Sequence, residues 1–159
     1  MVRRLITTLL LGGIALTGCT AGSGTQGPDG AVTPSRADTL WRERTEHVGD
    51  NSSVIWLTRE AGFGPTGSYT ISLQTASRPY GVTISFDQPL DKPFDDTDFA
   101  SPSTLLLGTV ANLDTVRVKA PGQDYSLTAA QASRQLGYDV KTLGRDQQTL
   151  TAYVATLDD

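Results

Sequence analysis

The chain has 159 residues, which is a usual size for a single domain. Its 13 basic and 17 acidic residues give a formal charge of −4, and such an acidic chain lacks the electrostatic footprint of a nucleic-acid-binding protein. The single cysteine and the single histidine exclude an internal disulfide and a metal site built from cysteine and histidine clusters. We therefore expect no nucleic-acid partner, no metal and no cofactor.

Residues 1–18 resemble the signal peptide of a bacterial lipoprotein. A short basic start precedes an apolar segment that is too short to span a bilayer as a mature helix. The segment ends in the sequence "LTGC", which is similar to the lipobox at which such proteins are cut and lipidated. The residues of this motif are Leu16, Thr17, Gly18 and Cys19.

Cys19 is the residue that would carry the lipid, because lipidation needs a thiol at the new N-terminus. Cleavage would remove Arg3 and Arg4, so the 13 basic residues fall by two and the formal charge changes from −4 to −6. A diacylglycerol on Cys19 supplies the two chains that stable anchoring requires. The sequence thus predicts a lipid anchor on the extracytoplasmic face of the cell membrane.

Residues 19–35 are rich in glycine, serine, threonine and proline and contain almost no large apolar side chain. This composition predicts a flexible tether whose ends lie roughly 20–25 Å apart. Residues 36–159 are numerous enough to close a hydrophobic core without disulfides, and we expect them to form one domain.

Two helices are predicted at the start of this domain. The first covers residues 35–49, with Ser35 and Asp38 at the spacing of a capping box. The second covers residues 52–62, where apolar residues recur at helical spacing and a glycine follows them.

Residues 68–75 and 80–87 alternate apolar and polar side chains and predict the two strands of a hairpin. One face of the hairpin is apolar, so we expect helices on that face and water on the other. The wet face carries Thr70, Ser72, Gln74, Thr83 and Ser85. Together with the hairpin tip, Arg78-Pro79-Tyr80, it is a possible surface for a partner, although a polar sheet face is usually only solvated.

Residues 87–98 contain several aspartates but lack the spacing of a calcium-binding loop, so they predict a solvated acidic loop. Residues 101–114 fit a helix capped by Ser101, although their apolar run also fits a buried strand.

Residues 114–119 predict a third strand, and residues 126–137 predict a helix that is capped by Thr128. Residues 146–157 favour a helix, but their threonines also suit a strand. These elements predict an α+β fold: a small antiparallel sheet, made of the hairpin and at least one further strand, with helices packed on one face.

The loop between the first two helices contains the residue types of a hydrolase triad, with His47 close to Ser52 and Ser53. The chain has no G-x-S-x-G elbow to support catalysis. Asp50 or Asn51 can instead cap the second helix by accepting its first unpaired N–H groups. The same N–H groups could attract an anion, but Asp50 would already occupy them. We expect a structural cap and no catalytic residue.

Three segments resemble, in the same order, the bacterial family catalogued as domain of unknown function 4825. They are Thr45–Val54, Leu73–Phe86 and Leu106–Val118. The residues that match the family pattern are Thr45, Val48, Gly49, Asp50, Asn51, Ser52, Leu73, Gln74, Thr75, Pro79, Tyr80, Gly81, Asn112, Leu113 and Asp114. His47 stands where the family usually has an aromatic residue, which argues against a catalytic base. The resemblance implies an extracytoplasmic location and no enzymatic activity.

The sequence favours a binding, sensor or accessory module of the bacterial cell envelope, held at the membrane by its lipid. Its expected partner is an envelope protein or a small ligand. The alternatives are a small serine hydrolase that uses Ser52 or Ser53 with His47, and a purely structural envelope protein.

Overall fold

Six α-helices, four β-strands and three short turns of π- or 3-10 helix (Arg59–Phe63, Gly64–Thr66 and Phe94–Asp96) follow one another along residues 34–158, the part of the chain that the computed structural model describes. The predicted signal peptide, the lipobox with Cys19 and nearly all of the tether lie outside the described residues. The helices are α1 (Arg36–Glu43), α2 (Asn51–Thr58), α3 (Ala100–Thr109), α4 (Ala129–Leu136), α5 (Thr142–Arg145) and α6 (Gln147–Ala155). The strands are β1 (Tyr69–Gln74), β2 (Gly81–Phe86), β3 (Thr115–Ala120) and β4 (Gln123–Thr128). No described helix is both long and apolar enough to cross a membrane.

The strands form one sheet in the order β1-β2-β3-β4. The outer pairs, β1 with β2 and β3 with β4, are antiparallel. The central pair, β2 with β3, is parallel, so the prediction of an antiparallel sheet was wrong at this pair. The physical reason is α3, which lies between β2 and β3 in sequence and provides the long crossover that parallel neighbours need. The α+β class is confirmed, with a mixed sheet.

Helices pack on the apolar face of the sheet, and α3 lies at the centre of this layer. The inward side chains of β2 and β3 are buried; they are Val82, Ile84, Phe86, Val116 and Val118. Every residue of α3 from Pro102 to Thr109 is also buried. A helix enclosed on all sides shows no polar stripe, which is why its sequence also fitted a buried strand.

The first helix is shorter than predicted. Its capping box is present, since the Ser35 hydroxyl accepts from the Asp38 N–H at 3.1 Å. The helix ends at Glu43 rather than near Gly49, because the backbone after it turns aside to pair with the end of α3. An isolated parallel bridge joins Thr45 to Val110 there.

The cap of α3 also differs from its prediction. Ser101 lies inside the helix, and the Asp98 carboxylate accepts from the N–H groups of Ala100 at 2.9 Å and Ser101 at 3.1 Å. A carboxylate satisfies two unpaired N–H groups at once, which the Ser101 hydroxyl could not do from within the first turn. One residue of the predicted acidic loop therefore has a structural role.

Candidate functional site

Three segments that are distant in sequence meet at one end of the domain. They are the loop before α2 (residues 44–50), the hairpin tip (residues 75–80) and the turn between α3 and β3 (residues 110–114). Each segment contains residues of the family pattern. We call this region the signature end.

Asn112 holds the loop before α2 against the turn. Its side-chain oxygen accepts from the Val48 N–H at 2.7 Å, and the Val48 side chain is buried. The backbone adds a second pair of bonds, since the Thr45 N–H donates to Thr109 at 3.0 Å and the Thr45 carbonyl accepts from Ala111 at 2.9 Å. The side-chain amide of Asn112 therefore holds the loop before α2 against the turn between α3 and β3.

Asp114 holds the hairpin tip against the same turn. One carboxylate oxygen accepts from the Tyr80 N–H at 2.8 Å, and the other lies 3.3 Å from the Arg78 guanidinium. The Tyr80 carbonyl accepts in return from the Asp114 N–H at 3.0 Å. Within the tip, the Gln74 amide donates to the Pro79 carbonyl at 3.2 Å. Hydrogen bonds thus fix the hairpin tip, with Arg78 exposed and Tyr80 half-buried against the core.

The Lys141 side chain forms hydrogen bonds with the end of α3 and with the turn between α3 and β3. Its ammonium donates to the carbonyls of Leu107 at 2.6 Å, Val110 at 2.9 Å and Leu113 at 2.7 Å. All three N–H donors of the ammonium are used. The Leu107 carbonyl is one that the C-terminus of α3 leaves without an intrahelical partner, whereas the carbonyls of Val110 and Leu113 belong to the turn that follows. The positive charge also complements the negative end of the α3 dipole.

Burial lowers the pKa of Lys141 to about 8. The carboxylates of Asp114 and Asp139 act in the opposite direction, while the guanidiniums of Arg145 and Arg78 act with burial. Above that pH the neutral amine has two N–H groups for three carbonyls, so one carbonyl loses its donor.

The loop before α2 contains a helix cap. The Asp50 carboxylate accepts from the Ser53 N–H at 3.4 Å and from the Thr45 hydroxyl at 3.3 Å. Asn51 is the first residue of α2, whose N-cap is Asp50. His47 and Ser52 are both exposed, and within residues 34–158 no hydrogen bond joins the His47 imidazole to either Ser52 or Ser53.

The sheet face opposite the helices is polar on all four strands. In addition to the hydroxyl and amide side chains of the hairpin, β3 places Arg117 and Lys119 on it, and both are exposed. Thr83 and Ser126 are the neighbours of Arg117 in register. Lys119 lies opposite Ser85 and Asp124 in register, and among the described residues neither Arg117 nor Lys119 comes within salt-bridge distance of a carboxylate.

A small depression of about 40 Å³ lies on this polar face beside the hairpin tip. Gly81 lines it, with Gln74 and Thr115 beside it and the Arg117 guanidinium and Thr83 at its rim. A Cβ atom at Gly81 would lie 3.6 Å from the Thr115 carbonyl oxygen and 3.7 Å from Gln74, which are ordinary contact distances. The missing side chain therefore leaves room that a small group can fill.

The sequence offered the hairpin tip as a surface, and Arg78 and Pro79 are exposed there while Tyr80 is half-buried against the core. The role of Lys141 could not be seen, because it lies in a short irregular segment and no spacing in the sequence relates it to the end of α3. Gly81 was noted as a strand residue and as part of the family pattern, but its place in the depression depends on the parallel pairing of β2 with β3. In the described part of the chain, no group of histidine, cysteine, aspartate or glutamate residues is arranged to hold a metal ion.

Comparison with known proteins adds one finding. The family model described as domain of unknown function (DUF4825) matches residues 40–132. This range contains all three segments of the signature end but not Lys141. Neither the curated proteins nor the solved structures contain a significant match.

Proposed function

The chain belongs to the DUF4825 family, and we propose that it is a lipid-anchored binding module on the extracytoplasmic face of the bacterial cell membrane. The anchor is a diacylglycerol on Cys19, and the binding surface is the polar sheet face with the hairpin tip. The proposed activity is binding rather than catalysis.

The lipobox supports the anchor. A thiol follows Leu16-Thr17-Gly18 at the end of a segment with the composition of a signal peptide, and it is the only thiol of the chain. Cys19→Ser should therefore release the protein from the membrane fraction into the medium or periplasm. Retention of this variant in membranes would refute the anchor.

The observation that carries the binding proposal is the exposed guanidinium of Arg117 on an uncovered polar face. Arg117 protrudes between the hydroxyl side chains of Thr83 and Ser126, in a protein whose overall charge is negative. Lys119 adds a second exposed cation on the same strand, with Ser85 and Asp124 as its neighbours in register. A guanidinium can hold a carboxylate or a phosphate by two parallel hydrogen bonds. The ligand class that fits is an anionic molecule with hydrogen-bonding groups, laid across β2 and β3.

The hairpin tip borders this surface through Pro79, which lines the depression at Gly81 together with Arg117. Asp114 fixes the residues on either side of Pro79, because it accepts from the Tyr80 N–H and lies beside the Arg78 guanidinium. A small side group of the ligand can therefore enter between the tip and Arg117.

A titration followed by amide NMR shifts tests this surface. The probes are poly-L-glutamate for carboxylates and inorganic polyphosphate for phosphates. The largest shifts are expected at Thr83, Arg117 and Ser126, and they should disappear in the double variant Arg117→Gln, Lys119→Gln. The matched control is Arg134→Gln, which removes one exposed cation from α4. Shifts that are spread over the helices, or that survive the double variant, would refute the binding surface.

A serine-reactive fluorophosphonate probe separates binding from hydrolysis. We expect no labelling of Ser52 or Ser53, because the His47 imidazole is not held against either hydroxyl. Labelling that is lost in His47→Gln would establish the hydrolase instead.

A further inference from the structure

The side of α2 that faces away from the core carries an exposed apolar pair. Ile55 is 50% exposed and Trp56 is 51% exposed, and Tyr138 at 37% is the other exposed large apolar side chain in the described part of the chain. Ser52 and Arg59 lie about one turn to either side of the pair and are exposed as well. We call Ser52, Ile55 and Trp56, together with Arg59, the residue that directly follows α2, the outer face of α2.

The first residue after the tether contacts the C-terminal end of the helix that carries this face. The Arg36 guanidinium, at the start of α1, donates to the carbonyls of Glu60 at 2.9 Å and Ala61 at 2.8 Å. Both carbonyls belong to a short π-helix, Arg59–Phe63, that continues α2 directly. The side chain at the tether's junction with the domain therefore holds the end of α2, four to five residues beyond Trp56.

From this placement we propose that the outer face of α2 lies on the lipid bilayer that carries the anchor. This inference rests on the proposed function in one respect, since the lipid on Cys19 is what brings the face to the membrane. The indole of Trp56 occupies the headgroup level, where tryptophan is enriched at membrane surfaces. Ile55 reaches the acyl boundary beside it, and the Arg59 guanidinium contacts lipid phosphate.

A bilayer fits the outer face better than a protein partner does. Two half-exposed side chains offer far less area than the roughly 1,200 Å² or more that a stable protein interface buries. A weak lipid contact is sufficient here, because a tether raises the effective concentration of the second contact to about the millimolar range. The apolar pair must supply most of the contact and Arg59 only a local one, because the net charge of the domain is negative and anionic lipid repels it.

The test couples the chain to lipid vesicles through Cys19, the residue that is proposed to carry the lipid. No lipidation in the cell is needed. Residues 19–159 contain the whole compact unit, which spans Thr33–Asp159. The thiol of Cys19 is the only one in the chain, so it couples selectively to a maleimide-bearing lipid. The vesicles contain phosphatidylglycerol and phosphatidylethanolamine, with or without lipids brominated close to the headgroup.

Trp56 itself is the reporter. The chain has two tryptophans, and Trp41→Phe leaves Trp56 as the single one. The control chain carries Trp41→Phe, Trp56→Phe and Tyr138→Trp, which moves the reporter to the exposed aromatic position between α4 and α5. We expect the Trp56 emission to shift to the blue on coupling and most of it to be lost with brominated lipid, while the control chain shows neither change. Ile55→Ser should reduce the quenching of Trp56.

Every other outcome overturns the inference. Unshifted and unquenched Trp56 emission on a coupled chain means that the outer face remains in water. Equal quenching of both reporters means that the domain has no preferred face. A blue shift without bromine quenching means that a second copy of the chain covers the face. None of these results affects the proposed anchor, which the release of Cys19→Ser from cells decides separately.

Discussion

Gly108→Ala should destabilise the domain, because α3 and α5 approach each other at a pair of glycines. A Cβ atom at Gly108 would lie 2.7 Å from the Cβ of Leu143 and 2.9 Å from the Val140 carbonyl oxygen. Leu143 and Val140 are fully buried, so neither has free space into which it can move. Gly144 faces Gly108 across the same contact, and a Cβ atom there would overlap the Gly108 carbonyl oxygen.

Two opposing effects set the size of the loss. Alanine in place of glycine inside a helix favours folding by about 1 kcal/mol. Overpacking of a well-filled core costs about 1–3 kcal/mol, occasionally more, and here a backbone oxygen is among the atoms that must move. Because a backbone oxygen must move, we take the overpacking cost at the upper end of that range, about 3 kcal/mol, which gives a net loss of about 2 kcal/mol. At about 4 °C per kcal/mol for a domain of this size, the melting temperature should fall by about 8 °C.

Thermal unfolding followed by circular dichroism measures the effect, with urea unfolding as a second readout. The matched control is Gly49→Ala, whose Cβ atom would meet only the Thr75 methyl group at 3.8 Å and should leave the melting temperature within about 2 °C. A Gly108→Ala protein as stable as the wild type would refute the close approach of α3 and α5.

Three further variants probe the signature end. Asp114→Ala should lower the unfolding free energy in urea by about 2 kcal/mol, since it leaves the Tyr80 N–H without its acceptor, whereas Asp124→Ala on exposed β4 should change little. Between pH 7 and 9.5 the wild type should gain about 2 kcal/mol, because folded Lys141 releases its proton near pH 8 while the unfolded lysine keeps it until about 10.5. Lys141→Met should remove this rise, and a rise that remains would assign it to another group. Asp50→Ala should cost about 1 kcal/mol through its lost cap, and an equal cost for Asn51→Ala would contradict that assignment.

The parts of the fold that depend on local pattern could be predicted from the sequence. Alternation of apolar and polar side chains indicated β1 and β2, and the structure pairs them antiparallel. Capping residues indicated helix starts, as Ser35 does for α1 and Thr128 for α4. The helix favoured for residues 146–157 is confirmed by α6, which the Asp146 carboxylate caps. In each of these cases the structure is decided by local interactions. The caps act within three residues, and the two strands are joined by a short loop.

The parts that depend on distant segments could not be predicted. β4 is nearly all exposed and buries only Leu127, so its alternation is too weak to identify. The early end of α1 follows from hydrogen bonds between Thr45 and the end of α3, about 65 residues away. The position of Lys141 has the same origin, because its three acceptors belong to a helix and a turn that precede it by 28 to 34 residues.

The two ends of the domain lie side by side. The Arg36 guanidinium, which marks where the tether enters, also lies 3.0 Å from the Asp158 carboxylate. A domain whose ends are adjacent tolerates circular permutation and insertion into a host loop. Joining residue 158 to residue 34 through a short glycine linker, with new termini in the exposed turn at Gly122, should therefore leave the fold intact. Such a permuted chain would attach the lipid tether at the β3–β4 turn and separate the anchor from the outer face of α2.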